Sequence, residues 1–156
     1  MSEVAMIQGV KQICKELGWK VKTEVKGKYK LLICPLPSDQ NFAGVLFAIP
    51  KNIPRFVMYV SYRTKITPQN MNAMLDVMSI INHGLLGGCL EMDSEKGEVR
   101  YRDGIIYIKP EIDIELLRTL IATTLQDSLE YCAVLDAIAI GESSKQAISK
   151  LNDNHS

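Results

Sequence analysis

Two hydrophobic periods alternate along the chain. Over residues 3–17 apolar side chains fall at Val4, Ile7, Val10, Ile13, Cys14 and Leu17, spacings of three and four that lay out one face of a helix. Ser2 stands where an N-cap belongs, and Gly18 where a helix stops. The period then drops to two. Trp19, Val21, Thr23 and Val25 alternate with Lys20, Lys22, Glu24 and Lys26, which predicts a strand with one wet face. A Lys26-Gly27-Lys28 turn leads back through a second strand over 29–34. Residues 35–42, with two prolines and a polar run, read as loop, and 44–49 as a short apolar strand. In 55–64 nearly every position is apolar (Phe56, Val57, Met58, Tyr59, Val60, Tyr62), the pattern of a central strand covered on both faces.

Thr67-Pro68 opens the next helix, one face of which is marked by Met71, Met74, Leu75, Met78, Ile81 and Leu85, with Gly84, Gly87 and Gly88 closing it. A hairpin follows, strands 89–93 and 98–102 around a tight turn at 94–97. By parity Leu90, Met92, Val99 and Tyr101 share one face, while Glu91 and Asp93 share the other with Arg100 and Arg102. Asp103-Gly104 allows a bend or bulge before the apolar residues 105–108. After Pro110 one long helix is expected from Asp113 towards Gly141, then a short helix over 143–151 and a fraying tail at 152–156. The order α-β-β-β-β-α-β-β-α(-α) lacks strand–helix alternation, so the expected class is α+β, helices packed on an antiparallel sheet, with residues 1–151 as a single domain.

Composition supports this picture. The chain has 156 residues, 47% of them hydrophobic, enough for one core without metal or disulfide staples. Eighteen basic and eighteen acidic residues cancel, which argues against a nucleic-acid or anionic-membrane partner. The distribution is uneven, with eleven Lys/Arg against four Asp/Glu in residues 1–65 and the reverse bias beyond. The opening residues lack a secretory pattern, no apolar run approaches a membrane span, and Cys14, Cys34, Cys89 and Cys132 have no short spacing. A cytoplasmic protein with reduced thiols is the expectation, with no membrane partner.

The stretch Gly88-Cys89-Leu90-Glu91-Met92-Asp93, continued by Glu95-Lys96-Gly97-Glu98-Val99-Arg100-Tyr101-Arg102, and the chain end Gly141-Glu142-Ser143-Ser144-Lys145-Gln146-Ala147-Ile148 carry a resemblance. They resemble the hairpin and terminal helix of the YbjN family. The opening helix, the Trp-containing first strand and the mid-chain helix extend the likeness over nearly the whole chain. The resemblance implies a fold similar to type III secretion chaperones, small α+β proteins that dimerise and bind other proteins. It also implies a bacterial sensory-transduction or stress regulator without established catalytic residues.

Candidate chemistry is sparse. His83 and His155 have no metal or triad spacing, Glu91, Asp93 and Glu95 form no EF-hand loop, and the glycines at 84–88 enter a strand rather than a helix. No catalytic, metal or cofactor residues are assigned, and the expectation is a non-enzyme. Two features stand out. Met71, Met74 and Met78 line one helix face, as core filling or as an adaptable binding surface. In the long helix Ile114, Leu117, Ile121, Leu125, Leu129, Cys132 and Leu135 trace a stripe for the sheet, and the apolar residues beside it need a second cover. Tyr131, Val134 and Ile138 are therefore the candidate protein interface. The reading that follows is a non-catalytic, protein-binding regulator acting as a homodimer with a further, unidentified protein partner. The alternatives are a ligand-binding or enzymatic pocket between sheet and helices, and nucleic-acid binding through the lysine-bearing strands at 19–30.

Overall fold

The structure is a computed structural model that describes residues 3–107 and 113–153, without the side chains of 152 and 153. The expected Ser2 cap, the Pro110 helix signal and His155 lie outside the described residues. In chain order the elements are α1 (Glu3–Glu16), β1 (Lys22–Lys26), β2 (Tyr29–Pro35), β3 (Phe42–Pro50), β4 (Arg55–Lys65), α2 (Met71–Gly84), β5 (Cys89–Asp93), β6 (Glu98–Ile106), α3 (Ile114–Leu129), α4 (Cys132–Ala139) and α5 (Ser144–Asp153). A 3₁₀ turn at Pro68–Asn70 leads into α2. The six strands form one antiparallel sheet in the order β1-β2-β3-β4-β6-β5. The α+β class and the element order hold, except that the expected long helix is two helices.

The sheet buries one face. Leu32 and Cys34 of β2, Val45, Phe47 and Ile49 of β3, Phe56, Met58, Val60 and Tyr62 of β4, and Val99 and Tyr101 of β6 are all buried. The helices meet this side. Cys14 of α1 touches Cys34, Glu3 of α1 pairs with Lys30, Tyr62 reaches Ser128 of α3, Thr64 bonds Asp136 of α4, and Tyr131 stacks on Tyr101. Met74 and Met78 are buried in α2 and Met58 in β4, so most of the methionine face is core filling. Asn82 of α2 closes the free edge of β5. Its side chain accepts from the Leu90 N–H at 2.8 Å and donates to the Leu90 carbonyl at 2.9 Å, as a neighbouring strand would.

The break between α3 and α4 is made by tertiary contact. The Tyr62 hydroxyl donates to the Ser128 carbonyl at 2.7 Å, the group that a continuous helix would offer to the Cys132 N–H. Tyr131, three positions after Ser128, stacks on Tyr101 with ring centroids 5.9 Å apart, and the helix restarts with Leu135 N–H donating to the Tyr131 carbonyl. The buried stripe of α3 also differs from the apolar one. It runs Leu117, Ile121, Thr124, Ser128, while Leu129 is exposed and Leu125 half-buried. Both buried hydroxyls are satisfied within the helix, Thr124 by the Leu120 carbonyl and Ser128 by the Leu125 carbonyl, each at 2.7 Å. Removing the Tyr62 hydroxyl tests the break. Tyr62→Phe keeps the ring contact with Phe42 and is expected to lose about 1 kcal/mol in urea unfolding, the worth of one buried hydrogen bond. A variant as stable as the parent would show that the helix breaks for another reason.

Smaller boundaries move as well. The first strand starts at Lys22 rather than Trp19, which instead packs half-buried against the core. Helix α5 continues through Asp153, into the stretch expected as tail; residues 154–156 are outside the described part.

Candidate functional site

The other face of the sheet is the unusual surface. Strand parity places Leu31 and Ile33 of β2, Leu46 and Ala48 of β3, and Val57 and Tyr59 of β4 on it, opposite the helices. The register lines them up in two rows across the strands. One runs Leu31, Ala48, Val57, Gly104, and the next Ile33, Leu46, Tyr59, Arg102, Cys89. All six apolar side chains except Ala48 remain only partly buried, in contrast to their fully buried strand neighbours. An antiparallel sheet that faces water on one side ordinarily carries polar residues there. The expectation that 55–64 is covered on both faces is thus met on the helix side only, because no described helix packs on the other.

Charged groups frame the apolar rows. Glu91 holds two guanidinium groups, Arg100 Nη2 and Arg102 Nε, each at 2.7 Å. The Arg100 guanidinium lies over the Tyr59 ring at 4.1 Å, and Arg102 donates to the Cys89 sulfur at 3.3 Å. This is the cross-strand pairing expected from hairpin parity, with Glu91 in place of an alternating ladder; Asp93 instead sits opposite Glu98 and reaches Lys96 at 3.8 Å. Two shallow depressions open beside the rows. One of about 430 Å³ is lined by Arg55, Val57, Cys89 and Arg102, and another of about 630 Å³ by Ser61, Glu91, Asp93 and Arg100.

The sequence-derived candidates fall elsewhere. Tyr131 (6% exposed), Val134 and Ile138 (both 0%) are buried in the chain's own core, so the interface assigned to them is corrected. The apolar character of α4 is used up between β4, α2 and α5, because the chain turns back after Gly141 and lays α5 on it. The lysines of 19–30 do not form one stripe. Lys30 points to the helix side and pairs with Glu3, Lys22 pairs with Glu24, and Lys28 lies 5.6 Å from the Tyr29 ring. His83 is exposed at the end of α2 beside Ser79, Ile80 and Asn82. Among the described residues no three His, Cys, Asp or Glu side chains are grouped as a metal site would need. Burial, with Asp136 adding to it, pushes the Cys132 thiol up to about 11, away from thiolate chemistry at neutral pH. The open face itself was readable in part. The near-continuous apolar runs of β2, β3 and β4 announce it, but only the position of the helices shows which half is left uncovered.

The geometry defines an α+β scaffold with helices on one side and an open, partly apolar sheet on the other. No family model and no curated protein matches the chain by sequence. Solved structures share its fold. YbjN from E. coli, described as a candidate transcription regulator, is 10% identical over 96% of this chain and 91% of that one, with a TM-score of 0.51. An uncharacterized protein from Methanothermobacter thermautotrophicus is 11% identical over 94% of this chain and 96% of that one, with a TM-score of 0.53. The chain therefore has a YbjN-like fold, as the hairpin and tail motifs imply. No helix among the described residues is long and apolar enough to cross a membrane.

Proposed function

We propose that this chain is a non-catalytic, cytoplasmic regulator that works by protein contact, as a dimer whose copies meet on the open sheet face, and that binds a further protein in that assembled form. The observation that carries the reading is the pair of apolar rows centred on Leu46 and Tyr59, which cross three adjacent strands without a helix above them. Contiguous apolar area of this kind marks protein contact. Twofold pairing is the commonest closed assembly, and it lays the same rows of two copies against each other. The regulatory role follows the description of YbjN, and the four free thiols suit a reducing compartment.

The test is the mass in solution. Light scattering at micromolar concentration should give twice 17.5 kDa for the parent chain. The double variant Leu46→Glu, Tyr59→Glu should give 17.5 kDa with unchanged circular dichroism, since both positions lie on the uncovered face and keep some solvent access in the single chain. A monomeric parent, or a double variant that still dimerises, would remove the sheet face as the dimer contact.

A further inference from the structure

The sulfur atoms of Cys14 and Cys34 lie 3.8 Å apart, in contact, with both side chains fully buried. They come from different elements, the last turns of α1 and the second strand, twenty positions apart in the chain. The other two cysteines have other neighbours. Cys89 accepts from Arg102, and Cys132 lies against the Ser128 carbonyl. Small apolar packing would explain one buried cysteine; two facing thiols across a helix–sheet contact are also the reactants of a disulfide.

We propose that Cys14 and Cys34 form a redox latch, oxidised by hydrogen peroxide to a disulfide that locks α1 onto β2. The chemistry balances as two steps. Cys34, as thiolate, attacks one peroxide oxygen; the S–O bond forms, the O–O bond breaks, and the departing hydroxide takes the thiol proton to leave as water. Cys14 then attacks the sulfenic sulfur of Cys34; the S–S bond forms, the S–O bond breaks, and the hydroxide leaves with the Cys14 proton as a second water. Two thiols lose two electrons and one hydrogen peroxide molecule gains them. The contact itself is symmetric; hydrogen bonding from Cys14 lowers the Cys34 thiol while that bond and burial raise Cys14, which favours Cys34 as the first to react. Bond formation brings the sulfurs together by roughly 1.8 Å, a shift within reach of the two side chains and a slight slide of α1.

Access comes through α1 itself. It is held at its ends by exposed or half-buried ion pairs, Glu3 with Lys30 and Glu16 with Arg118, and along its length by Met6, Val10 and Ile13. Local opening of such an element admits a molecule as small as hydrogen peroxide, and the bond then removes that opening. The latch stands independently of the sheet-face dimer, because α1 lies on the opposite side.

The test uses the full, reduced chain treated with hydrogen peroxide, quenched, denatured and alkylated. Alkylatable thiols are expected to fall from four to two, with a cross-linked peptide joining Cys14 to Cys34 that dithiothreitol reverses. The melting temperature of the oxidised chain should rise on the order of 5–10 °C, from closing a loop of about 20 residues. Cys14→Ala and Cys34→Ala, tested singly, should keep the reduced melting behaviour to within a few degrees and show no rise on peroxide treatment. Recovery of Cys14 and Cys34 in alkylated form after treatment would overturn the proposal. So would a cross-link between other cysteines, or a melting temperature that rises equally in the single variants.

Discussion

Ile138→Glu is expected to leave no folded protein. Ile138 is fully buried in α4, beside Val134 and Leu135, which are equally inaccessible. The substitution places a carboxylate where its surroundings are the apolar core between sheet and α5. Burying an unpaired charge costs several kcal/mol, and the lost isoleucine packing adds to it. Against a total stability on the order of 5–15 kcal/mol, this suffices to unfold the chain or reduce it to insoluble material. Far-UV circular dichroism and soluble yield read the result. The contrast is Leu129→Glu, one helix earlier at an exposed position, which should stay within about 0.5 kcal/mol of the parent. A folded Ile138→Glu with the parent's melting curve would return the inner face of α4 to the surface, and with it the interface first expected there.

Gly97→Ala is expected to cost about 3 kcal/mol, a drop of about 6–12 °C in melting temperature for a chain of this size. Gly97 closes the β5–β6 turn with φ +68°, and a Cβ there would stand 2.0 Å from the Ile66 carbonyl oxygen. The close approach is structural. The Gly97 carbonyl accepts from the Ile66 N–H at 2.9 Å, and the Gly97 N–H donates to Asp93 at 2.7 Å. Backbone on both sides has to separate, which breaks the joint between the hairpin and the end of β4. Gly27 supplies the comparison, with φ +57° and open space around the missing Cβ. Gly27→Ala should show only the left-handed backbone penalty, roughly 1–2 kcal/mol. Equal losses at the two positions in urea unfolding would mean that the contact with Ile66 contributes nothing.

Local signals carried far in this chain. The spacing of Val10, Ile13 and Cys14 locates the buried face of α1, and the alternation in 89–102 sets the hairpin and the Glu91 charge cluster without any tertiary contact. These succeed because period and turn chemistry act between residues a few positions apart. The failures lie where a distant residue intervenes. Nothing near Ser128 in the sequence marks a helix break, since the group that takes its carbonyl is the hydroxyl of Tyr62, 66 positions away. Thr124 and Ser128 look like surface residues, yet are buried because each hydroxyl finds its acceptor in its own helix.

The candidate site shows the same division. The sequence by itself determined that β2, β3 and β4 are apolar beyond what one buried face requires, and that α4 is apolar nearly all round. Both facts are properties of composition along an element. Which of these surfaces remains uncovered was decided only by the tertiary structure, because cover depends on where the other helices lie. Helix α5 folds back on α4 and buries Val134 and Ile138, while the described helices gather on one side of the sheet and leave Leu46 and Tyr59 open. Hydrophobic free energy is gained by removing area from water, whichever partner removes it, so an apolar pattern specifies a need for cover and the packing of the whole chain assigns the partner.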